Sequence, residues 1–204
     1  MGSGIDPGAG RCARSRALAG EWGRTSTATP RPSASVKPAY RASGARMNAL
    51  IVAVAMWGLL LPLLLVLIVT LRRGEWRIDI AQGALGGLAT IAIVKASAAA
   101  FYERRPFLVE HLHPLVAHAA DNAFPSDHLA ACGLAVGYLW TRSKALAVLA
   151  LAAAVAIGGA RVLARLHYPQ DVIAGFAFGL GGAFLGAWAA RSLPFIRSGA
   201  PRSG

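Results

Sequence analysis

Cysteine is nearly missing from this 204-residue sequence: Cys12 stands in a polar tail and Cys132 inside an apolar run. Two such residues form neither a disulfide framework nor a metal-ligand spacing, and they say nothing about redox compartment. Charge is scarce as well, at 15% of the chain, and acidic charge is scarcest, with nine Asp and Glu against 21 Lys and Arg. With 55% of residues apolar, this composition points away from a soluble globule.

What is present is a series of long apolar runs. Asn48 to Leu71 holds 24 residues without a charge. At about 1.5 Å per residue it spans a hydrocarbon core of roughly 30 Å with some tilt, and it is too long and too poorly flanked for a signal peptide. Further runs cover Ile78 to Ala100, Leu129 to Trp140, Ala145 to Ala160 and Val172 to Ala190. The expectation is an all-α, polytopic transmembrane helix bundle of about five spanning helices. The third and fourth runs are short for a crossing, and polar sequence beside them is expected to dip into the bundle, where irregular backbone is tolerated if it lines a cavity. In the last run Gly175, Gly179, Gly182 and Gly186 recur near helical spacing, a pattern that lets helices approach closely.

The net charge of +12 raises the question of nucleic acid, and its distribution argues against it. Residues 1–46 hold eight of the basic residues scattered among Pro, Ser, Gly and Ala, with no aromatic platform interleaved. They are expected to be a disordered basic segment, with 47–192 as the membrane domain and 193–204 as a disordered cytoplasmic tail. Arg72, Arg73 and Arg77, then Arg142 and Lys144, then Arg191, Arg197 and Arg202 follow alternate helices and so share one side, which the positive-inside rule makes cytoplasmic. Trp76, Trp140 and Trp188 mark the same boundary. The N-terminal segment, with net charge +6 from eight basic residues against Asp6 and Glu21, opposes this orientation. A natural start at Met47 would remove the conflict.

On the opposite side the chain gathers ionisable groups that are costly near a membrane core and so ask for a reason. Phe124-Pro125-Ser126-Asp127-His128 precedes an apolar helix, with Ser126 at the N-cap position. Free N–H groups and the positive end of the helix dipole there favour a phosphate, and His128 in the first turn reaches the same anion. A capped helix with a surface histidine is the plainer alternative. The second stretch runs from Arg161 through His167 to Asp171, with Pro169 ending the preceding helix. Asp171, four residues after His167, is placed to fix the histidine tautomer that leaves the other ring nitrogen nucleophilic. Arg161 offers a fork for phosphate oxygens. The plainer alternative is an interfacial turn with Arg165 snorkelling. Lys95 near a helix end and Arg105 in the following loop add a third piece, and the convergence of the three on one face favours a site.

The three pieces resemble the motifs of the type 2 phosphatidic acid phosphatase superfamily: a Lys…Arg-Pro motif, a Pro-Ser-x-His motif and an Arg-x5-His-x3-Asp motif. The variant here, with His-Pro-Leu-Val-Ala-His-Ala-Ala-Asp just upstream, looks most like the bacitracin-resistance type of undecaprenyl-diphosphatase, over roughly Ile78 to Leu185. The resemblance implies that His167 attacks phosphorus to form a phosphohistidine, Asp171 orients it and His128 protonates the leaving group. It implies that Lys95, Arg105, Ser126 and Arg161 cradle the equatorial oxygens, with no metal and no cofactor. Two departures stand out. Nine residues stand between Lys95 and Arg105 where six is common, and Glu103-Arg104-Arg105-Pro106 keeps only the second half of a doubled Arg-Pro-Arg-Pro.

His111, His113 and His118 suggest a metal site by number, but His-Leu-His is an awkward chelate, and a loop gripping a lipid headgroup or diphosphate is the favoured reading. Tyr168 and Phe107 are candidates for a lipid entrance. The resulting expectation is a multi-pass protein of a bacterial plasma membrane, its site facing outward. Its partners are membrane lipids and a lipid phosphate substrate, foremost undecaprenyl diphosphate, with no nucleic acid. Phosphatidic acid or another polyprenyl phosphate is the alternative substrate, and a lipid-phosphate-binding protein without turnover is the alternative class. Oligomeric state has no signature in the sequence.

Overall fold

The computed structural model describes residues 38–193 apart from residue 112. The expected basic segment lies outside the described residues up to residue 37, and the expected tail lies outside them beyond Leu193. The described residues form seven helices and no strand: α1 Pro38–Trp57, α2 Leu60–Arg73, α3 Trp76–Ala100, α4 Pro106–Val109, α5 Asp127–Trp140, α6 Lys144–Leu163 and α7 Pro169–Ser192.

Alanines line much of the interior and many large apolar residues face out, although Leu129, Leu139 and Ile157 are buried. Ala147, Ala150, Ala154, Ala183 and Ala187 are buried, whereas Leu64, Leu67, Leu88, Ile91, Val155, Ile173 and Trp188 are exposed. That inversion suits a solvent as apolar as leucine, in which helices associate by close backbone approach rather than by hiding hydrophobic side chains. Four stretches are long and apolar enough to cross a membrane: Gly44–Arg73, Trp76–Ala100, Lys144–Leu163 and Pro169–Ser192. The chain is a polytopic helical membrane bundle. The third expected span, α5, has only 14 residues and is enclosed by α2, α3, α6 and α7.

The first apolar run is interrupted. The helix closes its turn with Leu61 N–H donating to the Gly58 carbonyl at 3.2 Å, because Pro62 has no N–H to continue the regular pattern. A side chain at Gly58 would meet Val54 O and Ile157, so only glycine lets this turn seat against α6.

The α7 glycines divide their contacts. A Cβ at Gly175 or Gly179 would overlap the carbonyls of Ser126 or Ala130 on the α5 side, and one at Gly182 or Gly186 would overlap Thr90 or Gly86 on α3. Their spacing is thus a packing device that brings α7 against both neighbours. It also sets the start of α5 beside the start of α7.

At the other end of α5, Arg142 folds into the bundle instead of extending to an interface. Its Nε donates to Asp79 at 3.0 Å, its NH2 reaches Gln82 at 2.7 Å, and its guanidinium lies 3.8 Å from the Tyr138 ring centre. Asp79, Gln82 and the Arg142 side chain are all buried. A small cavity at this end is lined by Arg73, Glu75, Arg142 and Arg191, which brings together the three basic connections expected on one side.

Candidate active site

At the opposite end, α6 stops at Leu163 and a five-residue connection leads to α7. Pro169 was expected to end the preceding helix; instead it opens α7 at the first helical position, where its fixed φ and missing N–H cost nothing. The chain turns earlier, at Arg165, which adopts a left-handed φ of 62°. Asp171 therefore falls in the first turn of α7, and its Oδ2 accepts from the Tyr168 N–H at 2.8 Å.

This connection buries His167. Its Nδ1 lies 2.9 Å from the carbonyl oxygen of Ala123, a contact that requires the nitrogen to carry the proton, and 3.6 Å from Asp171 Oδ2. Nε2 is left with its lone pair, facing the NH2 of Arg161 at 3.1 Å. Burial pushes the His167 pKa down against the opposing pull of Asp171, so the ring is held neutral. The sequence assigned the orienting role to Asp171. The structure gives the shorter bond to a backbone carbonyl.

Arg161 is buried in the last turn of α6, with NH1 donating to the Ala55 carbonyl at 3.3 Å and Nε without a protein partner. Ser126 occupies the N-cap of α5 as expected, yet its hydroxyl makes no capping bond and is buried without a partner. Its backbone N–H donates instead to the Asp171 carbonyl at 3.0 Å, joining the second motif to the third. His128 follows one turn-residue later, half-buried.

Arg105 is buried in the extended strand-like segment after α3. Its Nε donates to Asp121 at 2.8 Å, NH1 to the Leu166 carbonyl at 2.8 Å and NH2 to the Asn122 carbonyl at 3.2 Å. It thereby ties the first motif to the residue preceding His167. Lys95, Arg105, His128, Arg161 and His167 share the wall of one cavity of about 310 Å³, with His118, Asp121 and Asp127. Despite the longer spacing, Lys95 near the end of α3 lines the same cavity as Arg105. Ser126 and Asp171 lie behind it. Such a cavity offers a neutral ring nitrogen, a second histidine, two buried and bonded arginines and an exposed lysine, a set suited to phosphoryl transfer.

A family comparison bears on this arrangement: residues 83–193 match the PAP2 superfamily. The chain belongs to that superfamily. Among curated proteins it is 36% identical over 94 residues to the bacitracin transport permease protein BcrC of Bacillus licheniformis, covering 45% of this chain and 46% of that protein. It is 32% identical over 88 residues to the undecaprenyl-diphosphatase BcrC of Bacillus subtilis (strain 168), covering 43% and 45%. It is 37% identical over 101 residues to a lipid A 1-phosphatase of Rhizobium etli, covering 48% and 41%. The chain thus spans less than half the length of these relatives. No solved structure gives a significant match.

Within the PAP2 stretch, residues that the sequence reading passed over hold the site together. Asn122 is the main one. Its Oδ1 accepts from the N–H groups of Glu103 and Phe124, and its Nδ2 donates to the carbonyls of Ala98 and Phe101. An Asn beside an Asp just before the Pro-Ser-Asp-His run was the available signal, since Asn carries two N–H donors and a carbonyl acceptor on a short side chain. Asp121 accepts from Arg105 and so holds its own carboxyl below the usual range despite partial burial.

Of the spare histidines, His118 reaches the cavity, 3.8 Å from Asp121, while His111 and His113 are exposed. Among the described residues no group of three or more His, Cys, Asp or Glu is gathered to hold a metal. Neither Tyr168 nor Phe107 lines the cavity. Phe124 does, and it also walls a crevice of about 420 Å³ with Phe101, Tyr102, Glu103 and Gln170.

Proposed function

We propose that this chain is an integral membrane phosphatase for a lipid (poly)phosphate, foremost one that hydrolyses undecaprenyl diphosphate to undecaprenyl phosphate. The observation that carries the reading is His167: buried, bonded at Nδ1 to a backbone carbonyl, and presenting Nε2 to a cation-lined cavity. An arriving phosphate takes over the Arg161 donors that now face Nε2, and Lys95, Arg105 and Ser126 complete its cradle. Nε2 then attacks phosphorus in line, the bond to the leaving oxygen breaks, and His128 supplies the proton to that oxygen. Asp171 stabilises the positive charge that the phosphohistidine ring acquires. Water next attacks phosphorus, gives its proton to His128, and releases inorganic phosphate with Nε2 restored.

The relatives named as BcrC favour a polyprenyl diphosphate, and the lipid A 1-phosphatase favours a different lipid phosphate with the same headgroup chemistry. Arg73, Arg142 and Arg191 at the far end of the bundle support a cytoplasmic assignment for that end, hence a site at the outer face of a bacterial plasma membrane. The test is phosphate release by purified protein and by His167→Ala from undecaprenyl diphosphate, phosphatidic acid and lipid A. Release from the diphosphate lost in the variant is the expected result. Undiminished release removes the nucleophile, and binding without turnover in the parent makes the protein a lipid-phosphate binder. Vanadate should inhibit and chelators should not; strong chelator sensitivity contradicts the metal-free mechanism.

A further inference from the structure

The Oδ1 of Asp171 is buried and has no hydrogen-bond donor, although its partner Oδ2 is satisfied by Tyr168 N–H. A buried carboxylate oxygen left bare is destabilising, since it has given up water without gaining a donor. The side chain of Glu103 neighbours the Asp171 carboxyl. Two ionised carboxylates repel each other, whereas a proton on one of them would give Oδ1 its missing donor.

One bond holds the Glu103 side chain and two hold its backbone. Its Oε1 accepts from Gln170 Nε2 at 2.8 Å, its N–H donates to Asn122 Oδ1 at 2.9 Å, and its carbonyl accepts from Ala123 N–H at 2.9 Å. The last two bonds connect it to the residue whose carbonyl orients His167. Its other oxygen is free to face Asp171.

We infer that Glu103 is a positioning residue for the proposed reaction, whose protonated carboxyl donates to Asp171 Oδ1 and fixes that carboxylate against His167. The inference rests on the phosphatase reading of the site. The ionisable groups facing Glu103 are Asp171 on α7 and Tyr168 in the preceding connection, and no lysine or arginine contributes to its charge state. Burial first, and the Asp171 carboxyl second, raise its pKa above the ordinary glutamate range. Glu103 also borders the crevice lined by Phe101 and Tyr102, which gives its proton a path to the bulk. As pH rises through that elevated pKa the shared proton leaves, two negative charges face each other, and Asp171 is released from its fixed position.

The experiment measures kcat and KM of the parent, Glu103→Gln and Glu103→Ala between acid and alkaline pH, with a short-chain polyprenyl diphosphate as probe. In Glu103→Gln the amide donates to Oδ1 at every pH, so kcat should stay near the parent optimum while one ionisation disappears from the profile. Glu103→Ala should lower kcat about tenfold, the worth of one hydrogen bond, with KM unchanged. If both variants keep the parent's kcat and pH profile, the inference fails. It also fails if the glutamine variant keeps the ionisation. An active parent with an inactive His167→Ala shows in the same assay that the phosphatase reading stands independently.

Discussion

The imidazole of His167 is bonded to the carbonyl of Ala123 at 2.9 Å, and the carboxylate of Asp171 stands back at 3.6 Å. Tautomer and charge stabilisation are therefore divided between two groups. Asp171→Asn should retain the correct tautomer through Ala123 while losing the negative charge that meets the phosphohistidine. We expect a loss of about 10²–10³ in single-turnover rate, the range seen when one electrostatic contact is removed, against complete loss for His167→Ala. Equal loss in the two variants would mean that the carbonyl contributes nothing.

His128 is assigned the leaving-group proton, so its importance should depend on the leaving group. His128→Ala is expected to slow release from a polyprenyl diphosphate by about 10²–10⁴, the usual contribution of a general acid. Release from p-nitrophenyl phosphate, whose leaving group needs no proton, should fall far less. Equal losses on both substrates would remove His128 from that role.

Burial depresses the His167 pKa below its ordinary value of about 6.5. The protonated ring cannot attack, so the His167 ionisation should enter kcat/KM as an acid limb below about 6.5. An acid limb centred above that value would contradict the buried, neutral nucleophile.

The pair of Asp79 and Arg142, at the end of the bundle away from the site, gives a stability prediction. Asp79→Ala leaves a buried guanidinium without its charge partner and should destabilise the bundle by about 3–5 kcal/mol, read as a lowered unfolding midpoint in detergent. Replacing both residues by apolar ones should recover most of the loss. A single variant as stable as the parent would show the pair to be dispensable.

Gly179→Ala places a methyl group into the Ala130 carbonyl and should force α7 from α5. A loss of about 1–3 kcal/mol is expected. Because α7 carries Asp171 and α5 carries Ser126, activity should fall with it, whereas Gly181→Ala, which meets open space, should change neither.

The sequence disclosed these features unevenly. Hydropathy located α3, α6 and α7 to within a few residues, and the spacing of the second and third motifs placed His128, Arg161 and His167 on one cavity. It did not reveal the interruption at Gly58, because a hydropathy run counts apolar residues and ignores the bond that Pro62 cannot make. Nor did it reveal Ala123, since a carbonyl that orients a histidine belongs to the backbone and leaves no residue signature. Arg142 was read as an interface charge because its partner Asp79 lies 63 residues away. Glu103 appeared only as a departure from a doubled motif, and its neighbour Asp171 becomes visible only in three dimensions.

The shortness of α5 has a consequence for the depth of the cavity. Its 14 residues rise about 21 Å, roughly 9 Å less than a typical hydrocarbon core. With Trp140 at one boundary, that shortfall would set the floor of the cavity beneath the level of the lipid headgroups. On the function proposed above, a lipid phosphate would need to sink only slightly to meet His167, while a soluble phosphate ester would have to leave bulk water to do so. Depth would then discriminate between substrates before any side chain reads them.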